Sequence, residues 1–310
     1  MNEKKTAVLI ALYNGAKHLE SQLDSVMQQT CPPDLILGSD DGSSDDTRAV
    51  FEMVAKQSTG KIEITCLDGP KMGYARNFFH LLKSCPEDVE IAAFCDQDDV
   101  WLDHKLERGA EMLAACDPDR PALLGTATWV WRAETGRKTP SRKLPQKLGF
   151  QHALVQNFAG GNTLMLNKAG IELVRNATQN SPDVVAHDWF LYQIISGAGG
   201  TVLYDPEPSL LYRQHGGNEI GANSGFGAFV KRFNAMLDST FLEWNTRNIN
   251  ALRGCTNVLL VENVQLLEAF AAGREGSVFS RLKMLRQTGL YRRDKVGQAG
   301  LWLAAILGRL

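Results

Sequence analysis

Ile91-Ala92-Ala93-Phe94-Cys95-Asp96-Gln97-Asp98-Asp99-Val100-Trp101 is the stretch on which the reading of this chain turns. A short apolar run, Ile91 to Phe94, leads straight into three carboxylates within four residues. Strand-like residues followed by clustered acids place those acids at the C-terminal edge of a sheet. Crowded carboxylates repel one another, and the commonest reason to tolerate them is a bound divalent cation, here Mg²⁺ or Mn²⁺. Asp96, Asp98 and Asp99 are the carboxylates that such a cluster can offer it.

The residues upstream repeat one pattern. Thr6 to Leu12 is a continuous apolar run, as in a strand buried on both faces. Lys17 to Gln29 carries Leu19, Leu23, Val26 and Met27 at helical spacing. Leu35 to Leu37 reads as a second strand, and Ser44 as the cap of a helix through Lys56. Lys61 to Leu67 is a third strand, Tyr74 to Lys83 a helix, Ile91 to Phe94 a fourth strand, and Asp103 to Ala115 a helix. This βαβαβαβα series predicts an α/β fold with a mostly parallel sheet flanked by helices. Ligands of such sheets bind beyond the carboxyl ends of the strands. Tyr13 and Asn14, Asp40 and Asp41, and Asp96 to Asp99 all fall there.

After Pro121 the pattern loosens. Leu123 to Trp129, Asn162 to Leu166 and Thr201 to Tyr204 are short strand candidates, and His187 to Ser196 is a helix. Arg132 to Lys147 and His215 to Gly227 read as loops. From Phe226 onward only helical periodicity remains. The expected division is therefore a catalytic unit over residues 1–225 and a helical region over 226–310.

The chain has 310 residues and a net charge of −2, which argues against a nucleic-acid partner held by bulk charge. Its six cysteines show no C-x-x-C pair and read as reduced thiols of a cytoplasmic protein. No run approaches the roughly 20 apolar residues that span a bilayer, and Met1 to Lys5 opens without an apolar signal core. The loop after the first strand lacks G-x-G-x-x-G, and no P-loop motif exists, which counts against nicotinamide and P-loop chemistry. Taken alone, Asp40-Asp41-Gly42-Ser43 is equally a capping turn or a nucleoside contact. Asp188, next to His187 at a helix start, reads locally as a cap. Asp96-Gln97-Asp98-Asp99-Val100 also fits the D-x-D-x-[TV] pattern of aspartyl phosphatases, although those place it on the first strand.

In order and spacing, these pieces resemble the family 2 glycosyltransferases, which have the GT-A fold. VLIALYNGAKHLESQLDSVMQQT, SDDGSSDDT, GYARNF, DQDDVW and GGNTLMLN each resemble a segment of the family, over roughly Thr6 to Gly221, with Asp98 or Asp99 of DQDDVW implied at the metal. HDWFLYQIISGAGGTVLYDPEPSLLYRQHGGNEIG is similar to a segment of rhamnosyltransferase-like members. The resemblance implies an enzyme that moves a hexosyl group from a nucleoside diphosphate sugar, dTDP-rhamnose being the best guess, to an acceptor hydroxyl with inversion. It implies that Leu12, Tyr13, Asn14, Asp41, Arg76, Asp96, Gln97 and Asp98 hold the nucleotide sugar, and that Asp188 is the general base. Gly161, Asn162 and Trp189 would face the acceptor, and Arg213 and His215 the diphosphate, while His187 reads as structural. Gly38-Ser39 is less apolar than the family usually shows. The implied setting is bacterial surface polysaccharide synthesis (O-antigen or capsule) with a glycan or lipid-linked glycan acceptor. The location would be cytoplasmic or peripheral on the inner face of the plasma membrane. A basic C-terminal segment, with Arg292 and Arg293 as its expected lipid contacts, ends in Leu301-Trp302-Leu303-Ala304-Ala305-Ile306-Leu307 and suits either a membrane surface or packing on the catalytic unit or a partner subunit. A non-catalytic sugar-nucleotide-binding scaffold would share these features but would not need Asp188.

Overall fold

The computed structural model describes residues 5–58, 60–141, 144, 147–180, 182–214 and 239–310. The first half alternates as expected: β1 (Thr6–Leu12), α1 (Ala16–Met27), β2 (Leu35–Asp40), α2 (Thr47–Gln57), β3 (Glu63–Asp68), α3 (Tyr74–Ser84) and β4 (Ile91–Cys95). The two-residue β5 (Val100–Trp101) and α4 (Lys105–Ala114) follow. Then come β6 (Ala122–Arg132), β7 (Arg137–Pro140), α5 (Phe150–Ala153), β8 (Met165–Asn167), α6 (Lys168–Ala177), α7 (His187–Gly197) and β9 (Thr201–Arg213). Four helices close the chain: α8 (Thr240–Arg253), α9 (Val261–Glu275), α10 (Val278–Thr288) and α11 (Lys295–Leu307).

One sheet runs in the order β3-β2-β1-β4-β8-β6-β9-β5, with β7 paired to β6. β3, β2, β1 and β4 are parallel throughout. β8 is antiparallel to both β4 and β6, β9 is parallel to β6, and β5 is antiparallel to β9. Both faces are covered. Ala7 and Leu9 of β1 face the core formed with α3, α6 and α7, whereas Val8, Ile10 and Leu12 face the core of α1, α2 and α4. That is why β1 is apolar without alternation.

Several local expectations change. Asp45, not Ser44, ties down the start of α2, accepting from the Thr47 amide and hydroxyl and from the Ala16 amide. Arg132 to Lys147 is not all loop, because β6 and β7 form a hairpin in which Trp129 opposes Pro140. Asn162 is in a 3₁₀ turn (Gly161–Thr163), and the strand begins only at Met165. β9 runs on to Arg213, nine residues past the expected end, because its later half pairs with the far end of β6 and with β5. Gly38 and Ser39 remain inside β2 for packing reasons. A Cβ at Gly38 would come within 2.7 Å of the Phe51 ring. The Ser39 hydroxyl donates to Asn77 Oδ1 at 2.5 Å while Asn77 Nδ2 returns a bond to the Ser39 carbonyl, a buried clamp of α3 onto β2.

The expected boundary near Gly225 lies outside the described residues. The terminal helices share a core with the rest: Phe241, Ile249, Leu267, Phe270 and Leu301 are buried in the same cluster as Phe190 and Leu191. Polar bonds reinforce the contact. Cys255 Sγ donates to the Ala177 carbonyl, the Leu260 amide to Gly197, and Arg247 to Asp183 and the Val184 carbonyl. Among the described residues, no helix is long and apolar enough to cross a membrane. All six cysteines are free.

Candidate active site

The parallel strands end together, and their loops interlock. At the end of β1, Asn14 adopts a left-handed conformation (φ 49°). Its amide donates to Ser43 Oγ and its side-chain oxygen accepts from the Ser44 amide. Leu12 is fully buried and takes part only through its carbonyl, which accepts from the Asp41 amide. Gln97 reaches back across β4 to bond both the amide and the carbonyl of Tyr13, at 2.8 and 2.7 Å. With its backbone fixed, Tyr13 leaves its ring 58% exposed at the mouth of the cleft, an aromatic surface on which a flat ligand can stack.

Asp41 is oriented by backbone. Its two oxygens accept from the Lys71 and Gly73 amides at 2.6 and 2.8 Å, and the side chain is buried. It therefore shapes the loop before α3, and each oxygen keeps a further lone pair. Arg76, in the first turn of α3, is half-buried, with Nη1 3.9 Å from Met72 Sδ.

The acidic loop separates three roles. Asp96 and Asp98 are half-buried, whereas Asp99 is fully enclosed. Asp99 accepts from Asn162 Nδ2 at 2.5 Å and from the Arg213 amide at 3.0 Å. Both Asp99 oxygens are thus engaged inside the protein, whereas Asp98 beside it is half-buried. Burial, then the fields of Asp99, Asp98 and Asp188, push the Asp96 carboxyl well above the usual range. Burial and Asp98 push Asp99 up to about 7, opposed by the bonds from Asn162 and Arg213. The antiparallel pairing of β5 with β9 brings Arg213 here. Its Nε donates to the Asp98 carbonyl at 2.8 Å, and its guanidinium lies 4.4 Å from the Trp131 ring centroid. His215 lies outside the described residues.

Asp188, in the first turn of α7, accepts from the Trp189 amide at 2.7 Å. Asn157 and the Gly161 amide lie close enough to favour its charged form. Burial outweighs these bonds and raises its carboxyl to about 6. Its field reaches Asp96, although the two are distant in sequence. His187 packs behind it, stacked on Phe78 at 4.0 Å, with neither ring nitrogen hydrogen-bonded. Burial lowers its pKa to about 3, so the imidazole is neutral. Two acceptor candidates make internal contacts. Trp189 is buried, its indole donating to the Ala153 carbonyl at 2.6 Å, and Asn162 is buried against Asp99. Gly161 keeps a positional role: a Cβ there would overlap His187 Nε2.

Gly161→Ala is therefore expected to displace the turn that bonds both Asp188 and Asp99. The transfer kcat should fall at least tenfold with donor KM within about threefold, a loss of over about 1 kcal/mol in the barrier. An unchanged kcat would show that the turn does not position the base.

Sequence reading missed Lys105, which in the first turn of α4 looks like a solvated charge. It is 2% exposed, donates to the Asn162 carbonyl at 2.8 Å, and lies 4.4 Å from the Trp101 ring centroid. Burial lowers its pKa to about 8, partly offset by Cys95, Asp99 and Asp96. Asn157, the other omission, carried no local signal, because its partner Asp188 is far along the chain.

A Rossmann-like α/β sheet with an acidic loop after β4 and a carboxylate on α7 defines a glycosyltransferase of the GT-A fold. The chain belongs to glycosyl transferase family 2, whose model matches residues 7–167. It is 28% identical over 248 residues to the dTDP-rhamnosyl transferase RfbG of Shigella flexneri, covering 78% of this chain and 84% of that protein. An uncharacterized glycosyltransferase of Nostoc sp. is 34% identical over 113 residues, 36% of this chain and 34% of that protein. Two solved structures share the fold. The mannosyltransferase PcManGT from Pyrobaculum calidifontis, in complex with GDP-Man and Mn²⁺, has a TM-score of 0.52 at 17% identity, covering 99% of this chain and 88% of its own. TarS 1–349 of S. aureus, in complex with UDP-GlcNAc, has a TM-score of 0.53 at 13% identity, covering 98% and 89%.

Proposed function

We propose that this family 2 glycosyltransferase is inverting and moves a rhamnosyl group from dTDP-rhamnose to a hydroxyl of a glycan or lipid-linked glycan, in bacterial surface polysaccharide synthesis. The observation that carries this reading is the buried Asp188 carboxyl, raised to about 6, whose field reaches Asp96 at the end of β4. The likeness to a dTDP-rhamnosyl transferase over most of both chains supports the donor. The Tyr13 ring stacks the base, and the loop held by Asp41 closes beside it. Arg76 and Arg213 add positive charge near the diphosphate.

The site fits a divalent cation: its donors are oxygen only, and Asp98 stands half-exposed at the strand edge among further carboxylates. Among the described residues no three His, Cys, Asp or Glu side chains gather as a full ligand set. That suits Mg²⁺ or Mn²⁺ shared between one carboxylate and substrate phosphates. Asp98 would hold it, and when bound it would offset the charge growing on the leaving diphosphate. Asp188 takes the proton of the acceptor hydroxyl. The freed oxygen attacks the anomeric carbon from the face opposite the diphosphate, the bond to the diphosphate oxygen breaks, and configuration inverts in that single displacement.

The aspartyl-phosphatase alternative loses its footing, because the acidic motif follows the fourth strand and the family is one of sugar transfer. A screen of dTDP-, UDP- and GDP-sugars with Mn²⁺ or Mg²⁺, read by thermal shift and nucleoside diphosphate release, tests the donor. dTDP-rhamnose is expected to give the largest shift and turnover, whereas preference for a UDP- or GDP-sugar overturns that choice.

A further inference from the structure

The face formed by α10 and α11 is unlike the rest of the surface. Phe279 is 85% exposed, and Val296, Ile306 and Leu307 are also exposed. α10 buries Met284, Leu285 and Thr288, which leaves Phe279, Lys283 and Arg286 on one outer stripe at spacings of four and three. α11 buries Leu301, Ala304 and Ala305, and its outer side presents Val296, Ala299, Ile306 and Leu307. Arg281, two residues beyond Phe279, donates to the Ala305 carbonyl at 2.5 Å and to Ile306 at 3.4 Å. The exposed start of α10 therefore lies beside the exposed end of α11.

Charge follows the same face. From Val278 to Leu310 there are seven basic residues and one acid, in a chain whose net charge is −2. The acid, Asp294, caps α11 by accepting from the Gly297 amide. Arg292 and Arg293, the obvious lipid contacts in the sequence, instead turn inward. The Arg293 amide donates to Gln156 and its guanidinium to the Phe158 carbonyl, while Arg292 lies over Phe241. Lys283, Arg286 and Lys295 remain exposed.

We propose that the outer face of α10 and α11 docks on an anionic lipid surface, Phe279, Ile306 and Leu307 entering the interface while Lys283, Arg286 and Lys295 meet the headgroups. Apolar side chains bordered by cations, with Asp294 tied to the Gly297 amide, match a continuous negative surface. A second copy would bring two basic faces together and repel. The face goes beyond the transfer chemistry and does not depend on which sugar is moved.

Co-sedimentation of the full chain with phosphatidylcholine vesicles, with and without 30% phosphatidylglycerol (about that fraction suffices for a negative surface potential), tests the proposal without donor or acceptor. Binding is expected only with the anionic lipid, to weaken in high salt, and to fall at least tenfold in F279E/I306E and in K283E/R286E. Both double variants should keep the parent Tm and the parent transfer to a soluble acceptor. Equal sedimentation with and without anionic lipid overturns the proposal, as does binding that the variants leave unchanged. A dimer in solution that F279E/I306E dissociates would assign the face to a second copy instead and overturn it too. Failed docking with intact transfer leaves the enzymatic reading standing, and the reverse result strikes only that reading.

Discussion

Asp188→Asn is expected to lower transfer by about 10²–10⁴-fold, the usual worth of a positioned general base, while nucleotide-sugar binding stays within about twofold by thermal shift, since little of the donor's binding energy rests on this side chain. The base works only when ionised, and burial holds its carboxyl at about 6. The rate should therefore be flat above that pH and fall about tenfold per unit below it, as the proton occupies the base. In the asparagine variant this acid limb should vanish along with most of the rate. Retained transfer would instead favour the scaffold reading or another base.

Lys105→Met should produce the largest loss of stability. Lys105 is a buried cation near Asp96 and Asp99, and its ammonium holds the Asn162 carbonyl. Asn162 in turn bonds Asp99, Asp99 accepts from the Arg213 amide, and Arg213 bonds the Asp98 carbonyl. Methionine would fill the volume but leave the buried Asn162 carbonyl without its donor, a change that typically costs about 1–3 kcal/mol. At about 2–4 °C per kcal/mol for chains approaching this size, Tm should drop by roughly 2 °C or more. Adding Asp99→Asn removes an acid whose field the ammonium offsets, so the two losses should not add, as expected of groups in one network. A Tm that Lys105→Met leaves in place would show that the ammonium is not what holds the acidic loop.

The β1-to-α4 alternation was legible because each strand is apolar on both faces and each helix repeats at 3.6 residues, patterns that burial imposes locally. The acidic loop, Tyr13, Asp41 and Asp188 could likewise be picked out, because each stands at the end or start of a regular element. Their individual duties could not. Asp98 and Asp99 are neighbours of the same chemistry, yet only Asp99 meets Asn162 and the Arg213 amide, contacts made across 63 and 114 residues of chain. The bond from the Trp189 indole to the Ala153 carbonyl spans 36 residues and has no local signal. Arg292 and Arg293 looked like lipid contacts until they were found on Gln156, Phe158 and Phe241.

By itself, then, the sequence determined the fold class and the set of chemical groups, because periodicity and residue type are local properties. Which carboxylate faces the cleft, which lysine is buried beneath it and which helix face is left uncovered were decided only by tertiary structure. Burial and hydrogen-bond partners depend on what the folded chain brings within about 3 Å, and that is written in no single segment.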